Sequence, residues 1–237
     1  MSFSKRAVLI VSGGLDSVVM AHMFIPDVEL SIISFNYGQR HLKELHFAAL
    51  CAQRLNAKHK IVNLTSMTSL IATSSLTSDD VPVPEGHYTA ETMKQTVVPN
   101  RNAIMLSIAF GHAVSWGAER VYTAVHAGDH AIYPDCRPEF IKALEYALNL
   151  GNETKIEICA PFINYTKADI VACGYVQEVP FDLTWSCYNG GLNHCGKCGT
   201  CVERAEAFHK APVPDPTIYD DPNFWKEAVH GVDQADA

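Results

Sequence analysis

The sequence predicts an α/β fold built on a mostly parallel, doubly wound sheet. Strand-length apolar runs alternate with helix-period segments along the chain, the pattern of a parallel sheet covered by helices. The first apolar run ends in a glycine turn that opens a helix. At 237 residues, 48% of them hydrophobic, the chain is long enough for one large domain with a full core. The first strand is expected at about 6–11, where Ala7-Val8-Leu9-Ile10-Val11 is continuously apolar, and the second at 29–36, with Ile32, Ile33 and Phe35. A helix follows at 39–56, with Leu42, Leu45, His46, Ala49 and Leu50 at helical spacing, then a third strand at 60–64. Residues 65–100, rich in Ser, Thr and Pro, read as one long functional or mobile loop, a candidate lid that would exclude water. Residues 102–116 read as a helix with Ile104, Leu106, Ile108 and Ala109 on it, and 120–125 as the fourth strand. A helix at 138–150 carries Pro138 in its first turn, and a fifth strand is expected at 155–160. Thr166 suits the N-cap of a short helix reaching 172. Residues 1–180 would form the α/β domain, 181–210 a cysteine-bearing segment packed on it, and 211–237 an irregular acidic tail. That tail, with Pro212, Pro214, Pro216 and Pro222, would lie on the surface or contribute to a subunit contact such as a homodimer.

The turn after the first strand is Ser12-Gly13-Gly14-Leu15-Asp16-Ser17. A helix start leaves backbone N–H groups unpaired and carries partial positive charge, and adjacent glycines let the backbone close around an anion. Ser12 and Ser17 add hydroxyls, and Asp16 can hold a Mg²⁺ ion that bridges phosphates. A turn that merely joins strand to helix is the alternative. Neither a G-x-x-x-x-G-K-[ST] string nor a G-x-G-x-x-G string occurs. The six residues resemble the SGGxDS signature of PP-loop ATP pyrophosphatases. That resemblance implies the fold of that superfamily, cleavage of ATP between its α- and β-phosphates, and an adenylated intermediate. It also implies nucleotide contacts along Val11, Ser12, Gly13, Gly14, Leu15, Asp16, Ser17, Val18, Val19, Met20 and Ala21.

Cys195-Gly196-Lys197-Cys198-Gly199-Thr200-Cys201, with Cys187 eight residues earlier, supplies four thiolates at ligand spacing. Four thiolates close a tetrahedral Zn²⁺ site of the structural type, one ion per chain, which would stabilise this segment. An iron–sulfur cluster is the rival, although the fourth Cys that often follows three residues later is absent here. His194 could replace one Cys, and four unliganded core cysteines are a further reading. Cys51, Cys159 and Cys173 sit among apolar neighbours as small core residues, and Cys136 stays open. Eight cysteines without a leader suggest a reducing compartment. No apolar run is long enough to span a membrane, and residues 1–6 run straight into the first strand, so a cytoplasmic chain is expected. With 26 acidic and 18 basic residues the net charge is −8, which favours small-molecule substrates over nucleic acid.

Three more strings extend the resemblance: Val98-Pro99-Asn100-Arg101-Asn102 before a helix, Tyr133-Pro134-Asp135-Cys136-Arg137 after the fourth strand, and Thr184-Trp185-Ser186-Cys187-Tyr188 at the cysteine segment. With SGGLDS they resemble the 7-cyano-7-deazaguanine synthase family of queuosine precursor biosynthesis, from about residue 7 to 211. The resemblance implies conversion of 7-carboxy-7-deazaguanine, ammonia and ATP to the nitrile. Adenylation makes the carboxylate oxygen a leaving group, ammonia gives an amide, and a second adenylation allows dehydration. On this reading Asp16, Arg101 and Asp135 are the catalytic candidates. Asp16 would bind Mg²⁺ or orient the loop, and Arg101 would neutralise phosphate or the substrate carboxylate, unless it forms a surface ion pair. Asp135 or Asp129 would accept the guanine-like N–H edge, with an Asx turn the alternative for Asp135. Arg137 would anchor an anion or pair with Glu139, and Tyr133 and Trp185 would stack on the base or belong to the core. Lys167 would meet phosphate or lie in solvent. His126 and His130 have no assigned role, since either could cap or pack at a strand end. A PP-loop tRNA-thiolating enzyme and a zinc-stabilised nucleotide-binding module without catalysis are the rival readings.

Overall fold

A computed structural model of the chain describes residues 5–24, 28–71, 74–78, 80–126 and 133–233. Its strands are β1 (Lys5–Ile10), β2 (Val28–Asn36), β3 (Lys58–Asn63), β4 (Arg120–Tyr122) and β5 (Glu157–Cys159). The helices are α1 (Leu15–His22), α2 (Lys43–Arg54), α3 (Thr68–Ile71), α4 (Ala90–Lys94), α5 (Arg101–Trp116), α6 (Pro138–Leu150), α7 (Lys167–Val176), α8 (Gly199–Lys210) and α9 (Phe224–Asp233). The strands form one sheet in the order β3-β2-β1-β4-β5, and every pairing is parallel. Alternation along β1 splits the interior in two. Ala7 and Leu9 join a core with α1, α2, α7 and α8, whereas Val8 joins a core with α5 and Ile141 of α6. The sheet is therefore wound on both faces. Its order reverses between β1 and β4, and the crevice beyond their carboxyl ends is where such sheets hold ligands.

Several elements differ from their expected bounds for identifiable reasons. The second helix starts at Lys43 rather than 39, because Asn36 and Gln39 side chains accept the Gly38 and Tyr37 N–H groups and hold a turn first. The helix expected to end at 172 continues to Val176. It starts from a reciprocal box between Thr166 and Asp169, and Ile170, Val171 and Gly174 are buried along it. Strand β4 stops at Tyr122, and residues 123–125 line a cavity instead. Residues 65–100 are not one loop. They carry a 3₁₀ turn, α3 and α4, and Gly86 donates to the Lys197 carbonyl, stitching this stretch to the cysteine segment. The acidic tail is not irregular throughout, since α9 packs against α8. Helix α8 itself was not expected. It places Arg204 and Glu206 in buried positions beside Ala207 and Phe208, so no clean apolar stripe marks it. Ala207 and Phe208 enter the first core, so the cysteine segment shares its interior with the sheet. No described helix is long and apolar enough to cross a membrane.

Candidate active site

Between Ile10 and Leu15 the chain makes the tight turn that the sequence suggests. Gly14 is the N-cap of α1 and offers no side chain, so the leading N–H groups of the helix stay open to an anion. The loop braces itself. Ser12 Oγ accepts the Gly14 N–H at 3.1 Å, and Ser17 Oγ donates to the Gly14 carbonyl at 3.0 Å while accepting the Ser12 N–H at 3.1 Å. Gly13, at φ +95°, lies so close to α2 that a Cβ would collide with the Glu44 carbonyl oxygen. Gly13→Ala should therefore lower stability by at least about 1–3 kcal/mol through its backbone conformation alone. Gly14→Ala, whose Cβ would meet Ser12 Oγ at 3.2 Å, should cost less. Urea midpoints check this, and equal midpoints for Gly13→Ala and the unmodified chain would refute it.

Asp16 and Lys167 meet across 151 residues of sequence, with Nζ 2.7 Å from Oδ2. The same ammonium lies 3.3 Å from Glu203 Oε2, and His126 Nε2 lies 3.8 Å from Asp16 Oδ2. Burial pushes the Asp16 pKa up, but Lys167 and His126 outweigh it and hold the carboxyl below its usual range. For Lys167 burial opposes the charge, and Asp16 and Glu203 raise the pKa well above the ordinary lysine value. Asp16 Oδ1 is buried with no hydrogen-bond partner among the described residues. An orphaned carboxylate oxygen beside an open helix start fits a Mg²⁺ ligand.

The strings around Arg101 and Asp135 form one unit. Asn100 takes the left-handed conformation at φ 55° and caps α5 without a side-chain bond. Asp135 takes over, its carboxylate accepting the Asn102 N–H at 3.2 Å and its carbonyl the Asn102 Nδ2–H at 3.3 Å. Asp135 is thus spent on the helix start and does not line the cavity. Arg101 does line it, and donates to Tyr37 Oη at 3.4 Å. Burial disfavours its charge, but Tyr37, Tyr188, Tyr133 and Asp135 more than offset this. Tyr88 and Tyr188 share a hydroxyl bond of 3.3 Å, and Tyr133 Oη lies 2.6 Å from Thr96 Oγ1. Burial pushes the Cys136 thiol up to about 12, the nearby Asp135 charge adding to it.

Glu44, in the first turn of α2, also faces this cavity. Burial raises its pKa from the usual 4.5 to about 7, with Arg101 pulling the other way. The folded chain keeps this proton over a range where the unfolded chain has released it. Stability should therefore fall as pH rises from 4.5 to about 7. Glu44→Gln should remove that slope, giving the variant the higher urea midpoint above pH 7. A variant that keeps the slope would refute the assignment.

The cysteine quartet closes as a ligand set. The Sγ atoms of Cys187, Cys195, Cys198 and Cys201 all lie within 4.8 Å of one another. The Lys197 and Cys198 N–H groups point at Cys195 Sγ, and the Cys195 N–H points at Cys187 Sγ, as suits thiolates. Four converging sulfurs fit Zn²⁺ with no open position. His194 is not a fifth candidate ligand. Its Nε2 accepts the Ser186 N–H at 3.1 Å, and its ring packs 4.2 Å from Trp185. Trp185 donates its backbone N–H to the Gly13 carbonyl at 3.0 Å and its indole N–H to the Cys187 carbonyl at 2.8 Å. Arg204, 1% exposed, secures the same stretch through the Phe181 carbonyl and the Thr184 and Ser186 hydroxyls.

These groups surround one cavity of about 320 Å³ at the carboxyl ends of β1 and β4. Ser12, Gly14, Leu15, Asp16, Ser17, Arg101, His126, Tyr133, Lys167 and Trp185 all line it. Of the expected nucleotide contacts, Val18, Val19, Met20 and Ala21 do not. They are buried in the first core. Gly13 stands behind the loop against α2. Arg137 is the N-cap of α6 and lies off the cavity wall. Asp129 and His130 fall outside the described residues. Glu44, Tyr37 and Glu203 line the cavity without having been singled out from sequence, and Tyr188, from the string at the cysteine segment, lines it as well.

A model of the family described as queuosine biosynthesis protein QueC matches residues 6–212. A protein named 7-cyano-7-deazaguanine synthase from Rhizobium meliloti (strain 1021) is 57% identical over 227 residues, covering 94% of this chain and 96% of its own length. Proteins of the same name from Chelativorans sp. (strain BNC1) and Brucella anthropi are 55% and 52% identical over 227 residues. Each covers 94% of this chain and 97% of its own length.

Proposed function

The chain belongs to the family of queuosine biosynthesis protein QueC, and from that premise we propose that it converts 7-carboxy-7-deazaguanine to 7-cyano-7-deazaguanine with ammonia and ATP. The observation that carries this reading is a single cavity lined by both the phosphate loop and Arg101. The reaction is a carbon–nitrogen ligation. The substrate carboxylate attacks the α-phosphorus of ATP and releases pyrophosphate. Ammonia displaces AMP to give the amide. The amide oxygen is adenylated in turn, and loss of AMP with two protons leaves the nitrile.

Each residue has a task suited to its position. The open N–H groups at the start of α1, with Ser12 and Ser17, receive the departing pyrophosphate. Lys167 neutralises charge that develops on the phosphates, and its bond to Asp16 keeps that carboxylate aimed at the loop. Asp16 Oδ1 would hold Mg²⁺, which supplies charge neutralisation between phosphate oxygens when bound. Arg101, ringed by tyrosines, holds the reacting carboxylate. Asp135 fixes Arg101 by capping α5 rather than by touching substrate. Cys187, Cys195, Cys198 and Cys201 would hold Zn²⁺, which supplies cross-linking and no chemistry. A thiolation reading needs a reactive thiol in the cavity. Cys136 is the only thiol lining it among the described residues, and a thiol pushed up to about 12 is a poor nucleophile at neutral pH.

The test is one assay. Purified chain, ATP, Mg²⁺, ammonium and 7-carboxy-7-deazaguanine should yield AMP, pyrophosphate and the nitrile by mass. Folded, zinc-loaded protein that makes no nitrile would overturn the proposal.

A further inference from the structure

We propose that Glu44 reads the heterocycle, its carboxylate accepting the ring N–H and the exocyclic amine while Arg101 beside it takes the ring carbonyl and the reacting carboxylate. The inference rests on the substrate class proposed above and deepens it. Among the described residues three carboxyl groups line the cavity: Asp16, Glu44 and Glu203. Asp16 and Glu203 are both tied to Lys167. The Glu44 side chain forms no hydrogen bond and no ion pair among the described residues, although Arg101 is near enough to act on its charge. Among the described residues it is therefore the lining carboxyl with both oxygens unengaged. Asp135, one of the two residues expected to do this from sequence, is occupied by Asn102, and the other, Asp129, lies outside the described residues.

The position of Glu44 is also set firmly. Its backbone packs against Gly13, so the first turn of α2 is fixed relative to the phosphate loop. Along one edge, a 7-carboxy-7-deazaguanine presents the carboxylate, the ring carbonyl, the ring N–H and the amino group in that order. Two acceptors are followed by two donors. A guanidinium next to a carboxylate presents the complementary order, and each carboxylate oxygen can accept one donor. Glutamine at 44 would present an amide N–H where the heterocycle also offers N–H.

Discrimination follows from this pairing. An analogue lacking the amino group leaves one carboxylate oxygen unpaired in a partly buried site, a penalty that hydrogen-bonding pockets express as selectivity. The test uses the unmodified chain, Glu44→Gln and Glu44→Asp, each with 7-carboxy-7-deazaguanine and with its analogue lacking the amino group. Glu44→Gln should raise KM for the acid roughly 10- to 100-fold, the range for losing a charged hydrogen-bond acceptor. It should leave KM for ATP unchanged and shrink the preference for the acid over the analogue. Glu44→Asp should restore part of that preference. An active Glu44→Gln variant with unchanged KM and preference overturns the inference. An equal rise in KM for both compounds also overturns it, because Glu44 would then only support the wall. Absence of nitrile from the unmodified chain overturns the proposed function, and this reading with it.

Discussion

Lys167→Met should slow AMP formation by about 10²–10³-fold, the usual cost of removing one preorganised charge-stabilising group. The ammonium sits 2.7 Å from Asp16 and 3.3 Å from Glu203, at the first position of α7 and on the cavity wall. Methionine fills similar space but leaves two carboxylates facing each other without a cation. Breaking such a pair is destabilising, so stability should fall as well. Lys167→Met combined with Glu203→Gln separates the two effects. Removing the second carboxylate should restore the urea midpoint but not the rate of pyrophosphate release. If the single variant turns over normally, Lys167 is only a structural tie. If the double variant recovers both stability and rate, the rate loss came from misfolding.

Stripping the metal should abolish nucleotide binding, although none of the four cysteines lines the cavity. Structural zinc contributes on the order of 10–16 kcal/mol to folding of the segment that holds it, so the apo segment should lose its structure. Trp185, Ser186, Tyr188, Thr200 and Glu203 would leave the wall with it, and Gly13 would lose the N–H that Trp185 donates to its carbonyl. Elemental analysis should find one zinc per chain. Chelation should remove ATP binding and far-ultraviolet signal from α8 together, and added zinc should restore both. Cys201→Ser, at a position with no exposure, should reproduce the apo state. Full ATP binding by metal-free protein would refute this coupling, and iron in place of zinc would revive the iron–sulfur reading.

What was legible in the sequence has local causes. The loop from Ser12 to Ser17 is one turn whose chemistry lies within six residues. The Thr166 cap needs only Asp169, three positions on, and the cysteine quartet spans fifteen residues, from Cys187 to Cys201. The remainder depends on partners brought together by the sheet. Lys167 reads as a phosphate contact or a solvated lysine, and its bond to Asp16 emerges only when the fold brings the two together. Glu44 reads as a solvated acid in a first turn, where acids are favoured anyway, until Gly13 draws α2 against the loop. Asp135 shows the reverse case. Its motif suggests substrate contact, and the structure places its carboxylate on the Asn102 N–H at the start of α5. Arg204 gives no sequence signal of burial, because its hydrogen-bond partners are the carbonyl and hydroxyls of a turn about twenty residues earlier and its ion-pair partner, Asp215, lies in the following segment.

The cavity wall is drawn from both ends of the chain, with Ser12 near the start and Trp185 to Glu203 near the finish. A ribosome therefore exposes the phosphate loop long before it releases the segment that closes over it. An unfinished chain has the Ser12–Ser17 turn but neither Glu203 nor the Trp185 N–H that meets the Gly13 carbonyl, and a metal held by the cysteine quartet would be captured only late in maturation. Nascent chains halted before Cys195 should not retain ATP, whereas chains released after α8 should do so once zinc is supplied. Retention of ATP by the shorter chains would show that the loop matures independently.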